Sequence, residues 1–182
     1  MKNMTKLLSD KEVIQKVLDQ ISDKTTDLGD QTWRESVDNY RSEKRFSTEL
    51  DLFQRLPIVF CPSAALAKSG SYVARDVGGV PLLAVRGKDG VVRTFYNSCR
   101  HRGMILAEGR GNASKFICRY HAWAYGLDGN LLNVSGNEGF PDLDKNSHGL
   151  IEVETQEKCG LIFVTQKKAI SDGALALSLI HI

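Results

Sequence analysis

Two short segments hold the residues of this chain best suited to metal chemistry. "YNSCRHRG", Tyr96 to Gly103, sets Cys99 and His101 one residue apart. "CRYHAW", Cys118 to Trp123, sets Cys118 and His121 two residues apart. The whole chain has four cysteines and four histidines, so half of each kind lies here. Thiolate and neutral imidazole are ligands for zinc and for iron. As ordinary residues, two cysteines would be small buried hydrophobes and two histidines would be surface residues. That description suits Cys61 and Cys159, which have no histidine beside them, and fits the two pairs badly. A tetrahedral Cys₂His₂ zinc site is a second reading. A Cys and a His with one residue between them make a cramped chelate for one small ion. The third reading is a [2Fe–2S] cluster with two Cys on one iron and two His on the other. Interleaved ligands suit it, because each segment then reaches both irons.

The elements around these segments change character along the chain. Residues 9–22 are expected to form a helix, with Ser9 and Glu12 as a capping box and Val13, Ile14, Val17, Leu18 and Ile21 as one packing stripe. A second helix is expected from Thr48 to Leu56, capped by Ser47 and stopped by Pro57. From Ile58 the texture is β. "SYVARDV", "PLLAVRG", "VVRTFYN", "KFICRY", "WAYGLDGNLL" and "GLIFVTQ" are strand candidates. "KDG" at Lys88–Gly90 and "LDGN" at Leu127–Asn130 are hairpin turns, since Asp-Gly tolerates positive φ. Short strands at close spacing predict a mainly β fold of antiparallel sheets, sandwich-like or barrel-like, with a helical N-terminal lead-in. Residues 136–149 read as a loop, and His148 within it as a surface residue rather than a ligand.

The 182 residues, 42% of them hydrophobic, suffice for one globular domain with an appendage. A net charge of +2 gives no global basic field for nucleic acid. No apolar run reaches membrane-spanning length, and the N-terminus lacks the apolar core of a signal peptide. A cytoplasmic protein is expected. The expected division is a lead-in over 1–56, a cluster domain over 57–165 and a tail over 166–182. The tail ends in "LSLIHI", which is similar to translated vector sequence, so it is read as a truncated linker or non-native, and His181 is given no role.

"CRHRG" and "CRYHAWAYGLDG" resemble the ligand motifs of Rieske non-haem iron oxygenases, the alpha subunits of aromatic ring-hydroxylating dioxygenases. The resemblance extends over "FSTELDLFQRLPIV", "PLLAVRGKDGVVRTFYNSCRHRG" and "GFPDLDKNSHGLIEVETQEKCGLIFV", about Phe46 to Val164. It implies Cys99 and Cys118 on one iron of a Rieske [2Fe–2S] cluster and His101 and His121 on the other. It also implies electron delivery from a ferredoxin or flavin reductase, a homotrimer of full-length subunits, and a mononuclear Fe(II) in a catalytic domain that this chain lacks. After His121 only His148 and His181 remain, 33 residues apart, and no catalytic residue is assigned. The chain is read as the N-terminal part of such a subunit, incomplete as an oxidoreductase. The alternative is a free-standing Rieske ferredoxin, against which the lead-in argues.

The sequence departs from its relatives at a few positions. Arg119 stands where the family has Pro, which should loosen the second loop slightly. High-potential Rieske proteins carry two further cysteines, where this chain has Met104 and Tyr120, and a serine, where it has Trp123. Losing that serine's hydrogen bond predicts a potential near the low end of the Rieske range, about −150 mV. Arg100, Arg102 and Arg119 flank the ligands as a possible docking face for an acidic partner.

Overall fold

The computed structural model describes residues 8–27, 29 and 31–167. The tail from 168 onward, with His181, lies outside them. Two compact units divide between Ser42 and Glu43.

In the first unit, α1 (Asp10–Asp23) begins with the expected box. The Ser9 side chain accepts from the Glu12 backbone N–H while Glu12 Oε2 accepts from the Ser9 N–H at 2.7 Å. The apolar stripe of α1, however, is exposed along its whole length, and the helix buries no residue. The other helix here, α2 (Asp38–Arg41), is a single turn and buries none of its own residues.

The second unit opens with α3 (Glu43–Arg55), which starts five residues earlier than the sequence suggested. Ser47 is inside the helix, its hydroxyl donating to the Lys44 carbonyl, so it caps nothing. The strands then follow as β1 (Ile58–Pro62), β2 (Ser71–Val77), β3 (Val80–Arg86), β4 (Val92–Tyr96), β5 (Gly109–Asn112), β6 (Phe116–Ile117), β7 (Ala124–Tyr125), β8 (Leu131–Asn133), β9 (Glu152–Lys158) and β10 (Leu161–Thr165). Every pairing is antiparallel. Seven strands run in the order β1-β10-β9-β4-β3-β2-β5, and β6-β7-β8 make a second sheet. The fold is mainly β, as expected.

The large sheet is buried on both faces, which strand alternation makes visible in β3. Leu82 and Ala84 join one core with Phe60, Val77, Val92 and Ile162. Leu83 and Val85 point the other way, into a core shared with Phe95, Phe116, Trp123, Tyr125 and Leu131. The second core carries Cys99 and Cys118. The Asp-Gly turn at Leu127–Asn130 fixes its edge. Gly129 has φ +84°, and a Cβ there would lie 2.5 Å from the Phe95 ring, so only glycine fits. At the other end of the unit, the Gln166 and Lys167 backbone N–H groups both donate to the Gln54 carbonyl, joining α3 to the end of β10.

Candidate metal centre

Two loops carry the four candidate ligands, and they share one backbone plan. In the loop after β4, the Cys99 N–H donates to the Met104 carbonyl at 2.8 Å, and the Gly103 N–H donates back to the Cys99 carbonyl at 2.9 Å. In the loop after β6, the Cys118 N–H donates to the Trp123 carbonyl at 2.8 Å, and the Ala122 N–H donates to the Cys118 carbonyl at 2.9 Å. Each loop thus bonds residue i to i+5 and i+4 back to i. In both, residue i+4 is left-handed: Gly103 at φ +73° and Ala122 at φ +55°. The two turns hold their cysteines alike, while the histidines differ by one place in sequence.

Asn97 closes the first loop. Its side chain is buried, accepts from the Leu106 and Ala107 N–H groups, and donates to the Ala107 carbonyl at 2.7 Å.

The two histidines meet, and the two cysteines lie in one core cluster. Cys99 and Cys118 are buried and free, and Cys99 Sγ lies 3.2 Å from the Tyr125 hydroxyl. His101 and His121 meet edge to face with ring centroids 4.5 Å apart. The Nδ1 atoms of both histidines are buried without a hydrogen-bond partner. Two buried ring nitrogens without partners are costly unless something binds them. Among the described residues, no three His, Cys, Asp or Glu side chains converge on one ion position. Two cysteines and two histidines, one of each on either loop, are the ligand types of a two-iron cluster with two Cys on one iron and two His on the other.

Aromatic rings wall the histidines. Trp123 is buried and stacks on His101 at 4.8 Å with planes 8° apart, and Phe140 packs edge-on against both. Tyr120, exposed, lies over His121 with centroids 3.8 Å apart. His148 is half-buried rather than on the open surface; its ring meets the Trp123 edge at 6.3 Å, outside the ligand set. Desolvation, with His121 and Arg102 nearby, holds His101 below the ordinary imidazole value, favouring the neutral ligand form. Burial chiefly, with the Cys99 contact, pushes the Tyr125 phenol up, so it keeps its proton at neutral pH. Tyr125 had no place in the sequence reading; its position four residues after His121 was the available signal.

Residues 57–144 match the Rieske [2Fe-2S] domain. The carnitine monooxygenase oxygenase subunit of Escherichia coli (strain K12) is 36% identical over 136 residues, covering 74% of this chain and 36% of that protein. The chlorobenzene dioxygenase alpha subunit of Cupriavidus sp. (strain PS12) is 41% identical over 133 residues, covering 68% of this chain and 30% of that one. The chain therefore spans about a third of the length of these curated relatives. The apo form of a quaternary ammonium Rieske monooxygenase, CntA, superposes with a TM-score of 0.72 at 30% identity, over 82% of this chain and 46% of that one. By its sheets and these relatives, the chain carries a Rieske [2Fe–2S] domain, similar to that of oxygenase subunits.

Proposed function

We propose that Cys99 and Cys118 hold one iron of a [2Fe–2S] cluster, that His101 and His121 hold the other through Nδ1, and that the domain relays electrons. The observation that carries this reading is the pair of buried, unpartnered Nδ1 atoms, on the same two loops that carry two buried free thiols. Such a cluster supplies one-electron transfer. The chain's own residues do the rest. Two matching turns fix the thiols, Trp123 and Phe140 exclude water from His101, and His101 and His121 stay half-exposed toward solvent.

The electron serves an oxygenase alpha subunit in this reading, with the sheets over 57–165 as the cluster domain behind the helical lead-in. In this reading the mononuclear Fe(II) belongs to the part of such subunits that these 182 residues do not span. Relatives that match three-quarters of the chain, beyond the 57–144 domain, favour this over a free-standing ferredoxin. A ferredoxin or flavin reductase is the donor in this reading, and the full subunit assembles as a homotrimer. Four free thiols suit the reducing cytoplasm.

The test is composition and spectroscopy of the chain purified without oxygen. Two irons and two acid-labile sulfides per chain are expected, with a Rieske EPR signal on reduction that His121→Ala abolishes and Cys159→Ala preserves. One zinc and no sulfide would overturn the assignment.

A further inference from the structure

The apolar stripe of α1 has no cover within its own unit. Val13, Ile14, Val17, Leu18 and Ile21 are 45% to 69% exposed, and neither α1 nor α2 buries a residue. A helix of 14 residues is marginal in water unless an apolar face packs against something. Two opposite charges close the ends of the stripe. Asp10 begins the helix and Lys24 is its C-cap. Fourteen residues separate them, within about 40° of four full turns, so both lie on the line of the stripe, about 21 Å apart. Neither forms an ion pair with a described residue.

We propose that the α1 stripe is a self-association surface, and that it pairs antiparallel with the α1 stripe of a second copy of this chain. The charges choose both the occupant and the direction. A copy laid parallel sets Asp10 against Asp10 and Lys24 against Lys24. A copy laid antiparallel, with Val17 meeting Val17, sets Val13 opposite Ile21 and Asp10 opposite Lys24 at both ends. The helix dipoles then also oppose. An anionic membrane surface suits the helix poorly, because α1 carries four acidic residues and two lysines. The same patch on both copies makes the contact two-fold, distinct from any three-fold contact of the homotrimer in the reading above. No ligand residue takes part, so the pairing goes beyond the electron-relay reading and does not depend on it.

The test is sedimentation equilibrium of the full chain at concentrations up to about 1 mM, where even a weak pair forms. Wild type is expected to approach twice the chain mass as concentration rises. Val17→Lys sets two like charges together at the axis, while lysine forms helix better than valine, so lost pairing is not lost helix propensity. Its dissociation constant is expected to rise at least about tenfold. Asp10→Lys and Lys24→Asp each set like charges at both ends and are expected to pair more weakly than wild type. Their equimolar mixture restores opposite charges at both ends and is expected to recover wild-type affinity. A wild type that stays monomeric overturns the inference, whatever else covers the stripe. A Val17→Lys chain that associates as wild type does overturns it too, because the contact then lies elsewhere. A mixture no tighter than its two components also overturns it, and this comparison decides alone if Val17→Lys fails to fold.

Discussion

At the scale of the residue, the two ligand loops differ most where they look most alike. Gly103 and Ala122 occupy the same left-handed place in matching turns. Glycine adopts that conformation freely, whereas an L-residue costs roughly 1–2 kcal/mol there. Gly103 has open space around it: an added Cβ would meet nothing closer than Ser98 Oγ at 3.7 Å, so only its φ of +73° demands glycine. Ala122 carries the cost. It is exposed, so its substitution can be read without disturbing the core. Ala122→Gly relieves the strain but loosens the unfolded chain by about 0.4–1 kcal/mol, leaving a net gain of about 0–1.6 kcal/mol. Ala122→Val, with its branched Cβ, is expected to lose about 1–2 kcal/mol, because such residues are rarely left-handed. Urea midpoints of the loaded proteins should therefore rank glycine above alanine above valine. The reverse order would mean that the turn is not held as described.

At the scale of the element, the first ligand loop depends on a side chain that carries no chemistry. Asn97 spans the loop from its entry to Leu106 and Ala107 with three hydrogen bonds, in a buried position. Asn97→Ala leaves two N–H groups and one carbonyl without partners, at a cost of about 2–4 kcal/mol. The urea midpoint should fall accordingly, and weaker cluster retention should accompany it. An unchanged midpoint would show that the loop closes without the amide. Nothing in "FYNSC" distinguishes this asparagine from a turn residue, so its role became visible only with the fold. The four ligand candidates, by contrast, were legible, because C-x-H and C-x-x-H in one chain are rarely accidental. Strands β2, β3, β4 and β10 were legible for a similar local reason, their runs of β-branched and aromatic residues. β5 and β9 were not. β5 is Gly109–Asn112, with no apolar side chain, and exists only by pairing with β2. β9 is largely polar, with Val153 its one buried residue, and is held between β4 and β10. The α1 stripe failed in the opposite sense. Its spacing set the helix correctly, but periodicity reports a face, and the face is exposed in its own unit.

At the scale of the whole molecule, the charge balance is nearly neutral, +2 over 182 residues, so any electrostatic preference for a partner must be local. Arg100, Arg102 and Arg119 supply it. All three are exposed in the two ligand loops, and none forms an ion pair with a described residue. Elsewhere the chain's arginines are largely committed: Arg86 to Glu157 at 2.8 Å and Arg93 to Asp89 at 2.7 Å. Arginines left unpaired around two half-exposed imidazoles leave a positive rim where an electron would enter. Exposed charge adds little to stability but steers encounter, raising association rates by about 10- to 1000-fold at low salt. An acidic ferredoxin is then expected to reduce the loaded chain at a rate that falls steeply with ionic strength, as the Debye length shortens from about 30 Å at 0.01 M to about 10 Å at 0.1 M. Replacing all three with glutamine should lower the low-salt rate at least about tenfold and flatten its salt dependence. Stopped-flow reduction at several salt concentrations reads both effects. A wild-type rate that is flat with ionic strength, or a triple variant as salt-sensitive as wild type, would move the docking face elsewhere. The same variant should bind its iron and sulfide in full, because the arginines frame the ligands without touching the sulfur and nitrogen atoms assigned to the metal.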